Sequence, residues 1–118
     1  MNPTPLTWPD DIEWLTVPDL AGLLDLSVSR VRRLFEERAL LPARVDGVLK
    51  VPADFLRDGE PLHELRGTLT VLADMGFTDD EAVHWLVVPE DSLATSPLTA
   101  LREGRKAEVR RVAQALGF

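Results

Sequence analysis

DLSVSRVRRLFEERALLPARVDGVLKVP, residues 25–52, holds in succession a helix start, an amphipathic arginine-rich segment and a tight-turn signature. Ser27 is placed to cap a helix, since its hydroxyl can accept an orphan backbone N–H of the turn that begins at Val28. At 100° per residue Val28, Val31, Leu34 and Phe35 share one face, expected to be buried. Ser29, Arg30 and Arg33 point the other way, with Arg32 on the border. A charged helix face is usually only solvated. Here three arginines crowd the first turns, where a recognition helix meets base edges and phosphates, so residues 28–38 are expected to read duplex DNA. Glu36 and Glu37 would have to stay clear of the phosphates.

Asp46-Gly47 follows, between the runs Ala43-Arg44-Val45 and Val48-Leu49-Lys50-Val51. That dipeptide is a strong hairpin signal, because a type I′ turn needs positive φ at both central residues. Residues 43–51 are therefore expected to form a wing. A two-residue turn sets Val45 against Val48 and Arg44 against Leu49, so Arg44 and Lys50 fall on opposite faces of the ribbon. The expected DNA contacts are Ser27, Ser29, Arg30, Arg32, Arg33, Arg44 and Lys50.

Upstream, Thr16-Val17-Pro18-Asp19 fits a capping box with proline in the first turn, and Leu20, Ala21, Leu23 and Leu24 supply the apolar face of a first helix. Asp25-Leu26-Ser27 is the turn, which makes residues 16–38 a helix-turn-helix. Trp14-Leu15 is expected as a short strand or core anchor. Residues 1–13, with three prolines and three acidic residues, suit a mobile arm whose only hydroxyls, Thr4 and Thr7, are candidate phosphorylation sites.

Downstream, Pro52 to Leu56 reads as a short helix, and Asp58-Gly59-Glu60-Pro61 as a break. Leu62, Leu65, Leu69, Leu72 and Met75 recur at helical spacing, and Gly76 is placed to stop that helix. Thr78 to Glu81 is a second capping box, opening a helix that ends before Pro89. Favourable interaction with the helix dipole accounts for the acidic run Asp79-Asp80-Glu81. Ser96-Pro97 starts a short helix through Leu101. Residues 104–116 form the last, with Val109, Val112, Ala113 and Leu116 on one face and Arg105, Lys106, Arg110 and Arg111 as a second basic patch. The expected organisation is an arm at 1–13, a winged helix-turn-helix at 14–58 and a helical domain at 59–118: mainly α with a small β-hairpin wing.

Charge distribution supports the same reading. The chain of 118 residues carries −7 overall, yet residues 27–51 hold Arg30, Arg32, Arg33, Arg38, Arg44 and Lys50 against Glu36, Glu37 and Asp46, a local balance of +3 that leaves −10 elsewhere. A basic patch on an acidic body binds DNA with strong salt sensitivity. A chain of this length should bury roughly 65% of its unfolded surface without a staple. There is no cysteine, and His63 and His84 lack metal-ligand spacing, so no metal or cofactor is expected. Nucleophile, paired acid and base, and phosphate loop are likewise missing at usable spacing, which argues against an enzyme. No leader or membrane span is legible at the N-terminus or beyond, so a soluble cytoplasmic protein is expected.

Residues 17–56 resemble the excisionase and mercury-regulator-like winged helix-turn-helix. From residue 14 onward the chain is similar to a family of small actinobacterial DNA-binding proteins regulated by Ser/Thr kinases, which join that winged domain to a helical C-terminal domain. The resemblance in the second half rests on Gly67 to Leu72, Gly76-Phe77, Trp85-Leu86, Pro89, Ser92-Leu93, Pro97 to Leu101 and Glu108 to Ala115. It implies double-stranded DNA as partner, a role in transcription regulation and a Ser/Thr protein kinase acting on the chain. A homodimer is a candidate assembly, as helix-turn-helix proteins often pair to read palindromes. The tail also resembles the toxin-binding domain of helix-turn-helix antitoxins, through Trp85-Leu86, Pro89, Ser96-Pro97-Leu98, Leu101, Gly104 and Val109, with Ala94-Thr95 where those proteins carry a glycine. That likeness implies a protein-interaction module as the alternative function.

Overall fold

The structure, a computed structural model, describes residues 6–116. In chain order it contains β1 (Trp14–Thr16), α1 (Val17–Leu24), α2 (Val28–Glu36), β2 (Ala43–Val45), β3 (Val48–Pro52), a 3-10 turn (Ala53–Phe55), β4 (Leu56–Arg57) and β5 (Glu60–Pro61). Then follow α3 (Leu65–Asp74), α4 (Asp79–Val87), a 3-10 turn (Asp91–Leu93), α5 (Pro97–Arg102) and α6 (Lys106–Gln114). The expected class, mainly α with a winged helix-turn-helix and a helical C-terminal region, is what forms.

Local chemistry sets the helix starts. The Thr16 hydroxyl accepts the Asp19 N–H at 3.3 Å while the Asp19 carboxylate accepts the Thr16 N–H at 3.0 Å, so two orphan donors are satisfied together. Thr78 and Glu81 repeat the arrangement at 3.2 and 2.9 Å. Bonds from the threonine backbone, then from its hydroxyl, hold both carboxyls below their ordinary pKa. With a folded pKa depressed below the unfolded one, each box contributes stability at neutral pH that is lost as pH falls through the lowered value. Ser27 and Ser96 cap α2 and α5 by accepting from Arg30 and Thr99.

The hairpin has the expected register, Val45 opposite Val48, Arg44 opposite Leu49 and Ala43 opposite Lys50. Asp46 (φ 52) and Gly47 (φ 79) both occupy the left-handed region that the type I′ turn requires. β1 pairs antiparallel with β3, Leu15 opposite Val51, giving a three-stranded sheet in the order β1-β3-β2 and leaving β2 at the edge.

Several expectations need correction. Val28 is 43% exposed and Leu23 58%, so neither belongs to the buried face. At the first helical position the Cβ tilts toward the N-terminus, carrying Val28 past the edge of the core. α2 stops at Glu36 because Arg38 turns the chain through positive φ (59), which delivers Ala39, Leu40 and Leu41 into the core. The break at 58–61 is a second tight hairpin, with Asp58 (φ 53) and Gly59 (φ 76) at its tip and Leu56 opposite Pro61. α3 begins at Leu65, since Leu62 is buried in the preceding turn, its N–H donating to the Phe55 carbonyl at 2.8 Å. α6 begins at Lys106, because Gly104 (φ 83) closes α5, and Leu116 lies beyond its end, exposed.

One apolar cluster runs through the molecule. Leu15, Leu20, Val31, Leu40, Val51 and Phe55 from the first half join Leu65, Leu69, Leu72, Val83, Leu86, Leu101 and Val109 from the second. The C-terminal helices are therefore part of the support on which α2 and the wing rest. Arginine staples reinforce the join: Arg102 donates to the carbonyls of Asp54 (3.0 Å) and Leu56 (2.8 Å), and Arg57 to that of Arg102 (2.7 Å).

Candidate nucleic-acid interface

Burial of Val31 fixes the rotation of α2. At 100° per residue Arg32, Ser29, Arg33 and Arg30 then span an arc of about 160° centred opposite Val31, and all four side chains are exposed. Among the described residues the side chains of Arg30, Arg32 and Arg33 have no hydrogen-bond or ion-pair partner, so their charge is presented to solvent. Ser29 sits beside them with its hydroxyl 3.2 Å from that of Ser27, whose oxygen is already engaged in capping. The far end of the helix is handled differently. Glu37 pairs with Arg66 at 3.8 Å and Arg38 with Asp79 at 3.6 Å, both turned toward the C-terminal helices. Such exposed pairs contribute ~0–1 kcal/mol. Their consequence here is electrostatic, because Arg38 is partly neutralised while one carboxylate of the helix end is offset.

The wing is less basic than its sequence. Arg44 is exposed and Lys50 half-exposed, on opposite faces as the register demands. Arg44 shares a shallow groove with Asp46 and Asp80, and Lys50 another with Asp10, Asp46 and Thr7. Both wing cations therefore share their grooves with carboxylates. At the tip Val48 is 47% exposed.

Residues 6–13, the described part of the segment expected to be an arm, make several contacts with the body of the protein. Trp8 packs edge-to-face on Trp14 (5.2 Å, 87°) and on His84 (5.4 Å, 67°). The Thr7 carbonyl accepts from His84 Nε2 at 2.9 Å, and the Glu13 carbonyl from Ala53 N–H at 2.8 Å. Thr7 is exposed beside the Lys50 groove. Thr4 lies outside the described residues. Nothing in the local sequence marked Trp8 and His84 as partners, since 76 positions of chain separate them.

The second basic patch is also reduced. Arg105 donates to Glu108 (2.7 Å), Glu103 (3.4 Å) and the Leu93 carbonyl (3.0 Å), and its hydrogen bond to Glu108 raises its pKa further. Arg110 reaches across to α3, donating to the Thr68 hydroxyl (3.4 Å) and the Glu64 carbonyl (3.2 Å). Its guanidinium occupies the space a Cβ would take at Gly67. Of this patch only Lys106 and Arg111 remain exposed without a partner among the described residues. Among the described residues the partnerless cationic side chains are thus Arg30, Arg32, Arg33, Arg44, Lys50, Lys106 and Arg111, and five of those seven belong to α2 and the wing. Among the described residues no group of three or more His, Cys, Asp or Glu is placed to hold a metal ion, and no helix is long and apolar enough to cross a membrane.

A capped helix pair, a sheet-backed hairpin and an outward arginine arc define a winged helix-turn-helix protein with a helical C-terminal extension. Residues 7–56 match the family model described as "DNA-binding protein Rv2175c, wHTH domain", and residues 62–117 the model described as "Rv2175c C-terminal domain of unknown function". The DNA-binding protein Rv2175c of Mycobacterium tuberculosis (strain ATCC 25618 / H37Rv) is 32% identical over 115 residues, covering 86% of this chain and 79% of the relative. An NMR structure of Rv2175c superposes with a TM-score of 0.84 at 30% identity, over 97% of this chain and 87% of that one. The chain belongs to the Rv2175c family, a winged helix-turn-helix joined to a helical C-terminal domain, as its resemblance implied.

Proposed function

We propose that this chain binds double-stranded DNA, with α2 in the major groove and the wing on the adjoining backbone, and that it acts as a transcriptional regulator in the cytoplasm rather than as an enzyme. The observation that carries the reading is the arc of Arg30, Arg32 and Arg33, exposed and without partners among the described residues. An unpaired guanidinium pays no cost to leave an internal contact, so its full charge is available to a phosphate or, bidentate, to a guanine edge. Arg33, near the centre of the arc, and Arg30, at one end of it and in the first turn of the helix, are assigned to base edges and phosphates in the groove. Arg32 and the Ser27 and Ser29 hydroxyls meet the flanking backbone, and Arg44 and Lys50 supply the weaker wing contacts. Residues 14–58 carry this surface and residues 59–118 support it. The name of the relative, a DNA-binding protein, agrees with the assignment.

Regulation and assembly follow at a finer level. A homodimer would place two α2 helices on a palindrome. A Ser/Thr protein kinase acting on Thr4 or Thr7 would add about −1.5 to −2 charges, at Thr7 beside the wing, and weaken binding.

The test is fluorescence anisotropy of the full chain on short duplexes over a salt series. Binding at 50 mM salt is expected, with log affinity falling against log salt at a slope of roughly −3 to −5, about one per phosphate neutralised. A protein of net charge −7 that shows no binding at low salt contradicts the proposal.

A further inference from the structure

The C-terminal helices make a polar contact with the wing. In a hairpin closed by two residues, the pair flanking the turn exchanges ladder hydrogen bonds and the next pair does not. Val45 and Val48 flank the turn here, so the next residue of β2, Arg44, points its N–H away from β3, out from the open edge of the sheet. An edge amide of this kind is ordinarily left to water or to a passing strand. Asp80, in the first turn of α4, meets it: Oδ1 accepts the Arg44 N–H at 3.2 Å. α4 lies along β2, Asp80 is half-buried there, and the β2 neighbours Ala43 and Val45 are buried.

We infer that Asp80 is a positioning residue that braces the wing, fixing its angle to α2 through the backbone of Arg44, and that this is one task of the C-terminal helical segment. The inference rests on the DNA-binding reading for its consequence, though not for its geometry. Two opposite effects meet at this carboxylate. Its charge sits beside the wing and repels phosphate, while its oxygen holds the strand where the wing can reach the backbone. Asp79 differs, since it pairs with the exposed Arg38 side chain and touches no strand amide.

Comparison of Asp80→Asn with Asp80→Ala separates the two effects. Both remove the charge, and only the first keeps an acceptor oxygen at the same place. Amide hydrogen exchange at Arg44, read by NMR, is expected to be at least about tenfold faster in Asp80→Ala than in the parent. It should change little in Asp80→Asn. In the anisotropy assay Asp80→Asn should bind duplex at least as tightly as the parent, and Asp80→Ala about threefold or more weaker than Asp80→Asn, because a loosened wing no longer meets the backbone in register. Circular dichroism establishes that both variants are folded. Equal DNA affinity of the two variants, or an Arg44 amide as protected in Asp80→Ala as in the parent, overturns the inference. A parent that binds no duplex overturns the DNA-binding reading instead, and the exchange comparison still decides the brace.

Discussion

α2 and α6 are nine-residue helices that share the triplet Val-Arg-Arg, at 31–33 and 109–111. In both the valine is fully buried. The arginines part company. Those of α2 stay in solvent, whereas Arg110 folds inward over α3 to bond Thr68 and the Glu64 carbonyl. The cause lies on the neighbouring helix. Gly67 leaves a notch the guanidinium fills, and the Glu64 carbonyl and Thr68 hydroxyl at the start of α3 accept from it. α2 faces no such notch on its outward side. An arginine pair stays wholly in solvent, free for a partner, only where the fold offers neither member anything better.

The largest expected effect falls on binding. Alanine at Arg30 and Arg33 together should cost about 1–3 kcal/mol for each bidentate base contact, and less for a phosphate contact. Thermal unfolding should move little, within about ±0.5 kcal/mol, as for surface changes generally. A stability loss with unchanged affinity would erase the contrast between the helices.

Arg110→Ala should do the reverse. Losing its charge-assisted bonds is expected to cost about 1–2 kcal/mol in urea unfolding, while DNA affinity stays at the parental value. Gly67→Ala sharpens the point through a double-mutant cycle. On the Arg110→Ala background the added methyl meets no guanidinium and should stabilise α3 by up to about 0.8–1 kcal/mol. In the parent it evicts Arg110 and should yield less, so the cycle is non-additive. Additive effects would show that Arg110 does not fill the notch.

Short-range chemistry made much of the fold legible in advance. Ser27, Thr16 and Thr78 announce their helices because a cap depends on residues within three positions. Asp46-Gly47 sets the whole hairpin register by its own φ preference. The same dipeptide at Asp58-Gly59 reads in sequence only as a break, since its flanks lack alternating apolar residues and include Pro61. Periodicity gave the buried centre of each helix, Val31 or Leu69, but not the edges, where Val28 and Leu23 turned out exposed. Distant pairings left no local trace: Trp8 on His84, Arg110 over Gly67 and Asp80 on the Arg44 amide join segments far apart in sequence. Arg30, Arg32 and Arg33 were legible as a candidate site, whereas their freedom from internal partners emerges only in three dimensions.

The most direct test of the claim that α2, and not α6, reads DNA is a titration of isotopically labelled full-length protein with a short duplex, followed by amide NMR at low salt. The account predicts salt-reversible shifts over Ser27 to Arg33 and at the wing tip from Asp46 to Lys50, with Lys106 to Gln114 unmoved. Shifts centred on α6, with α2 unchanged, would contradict it.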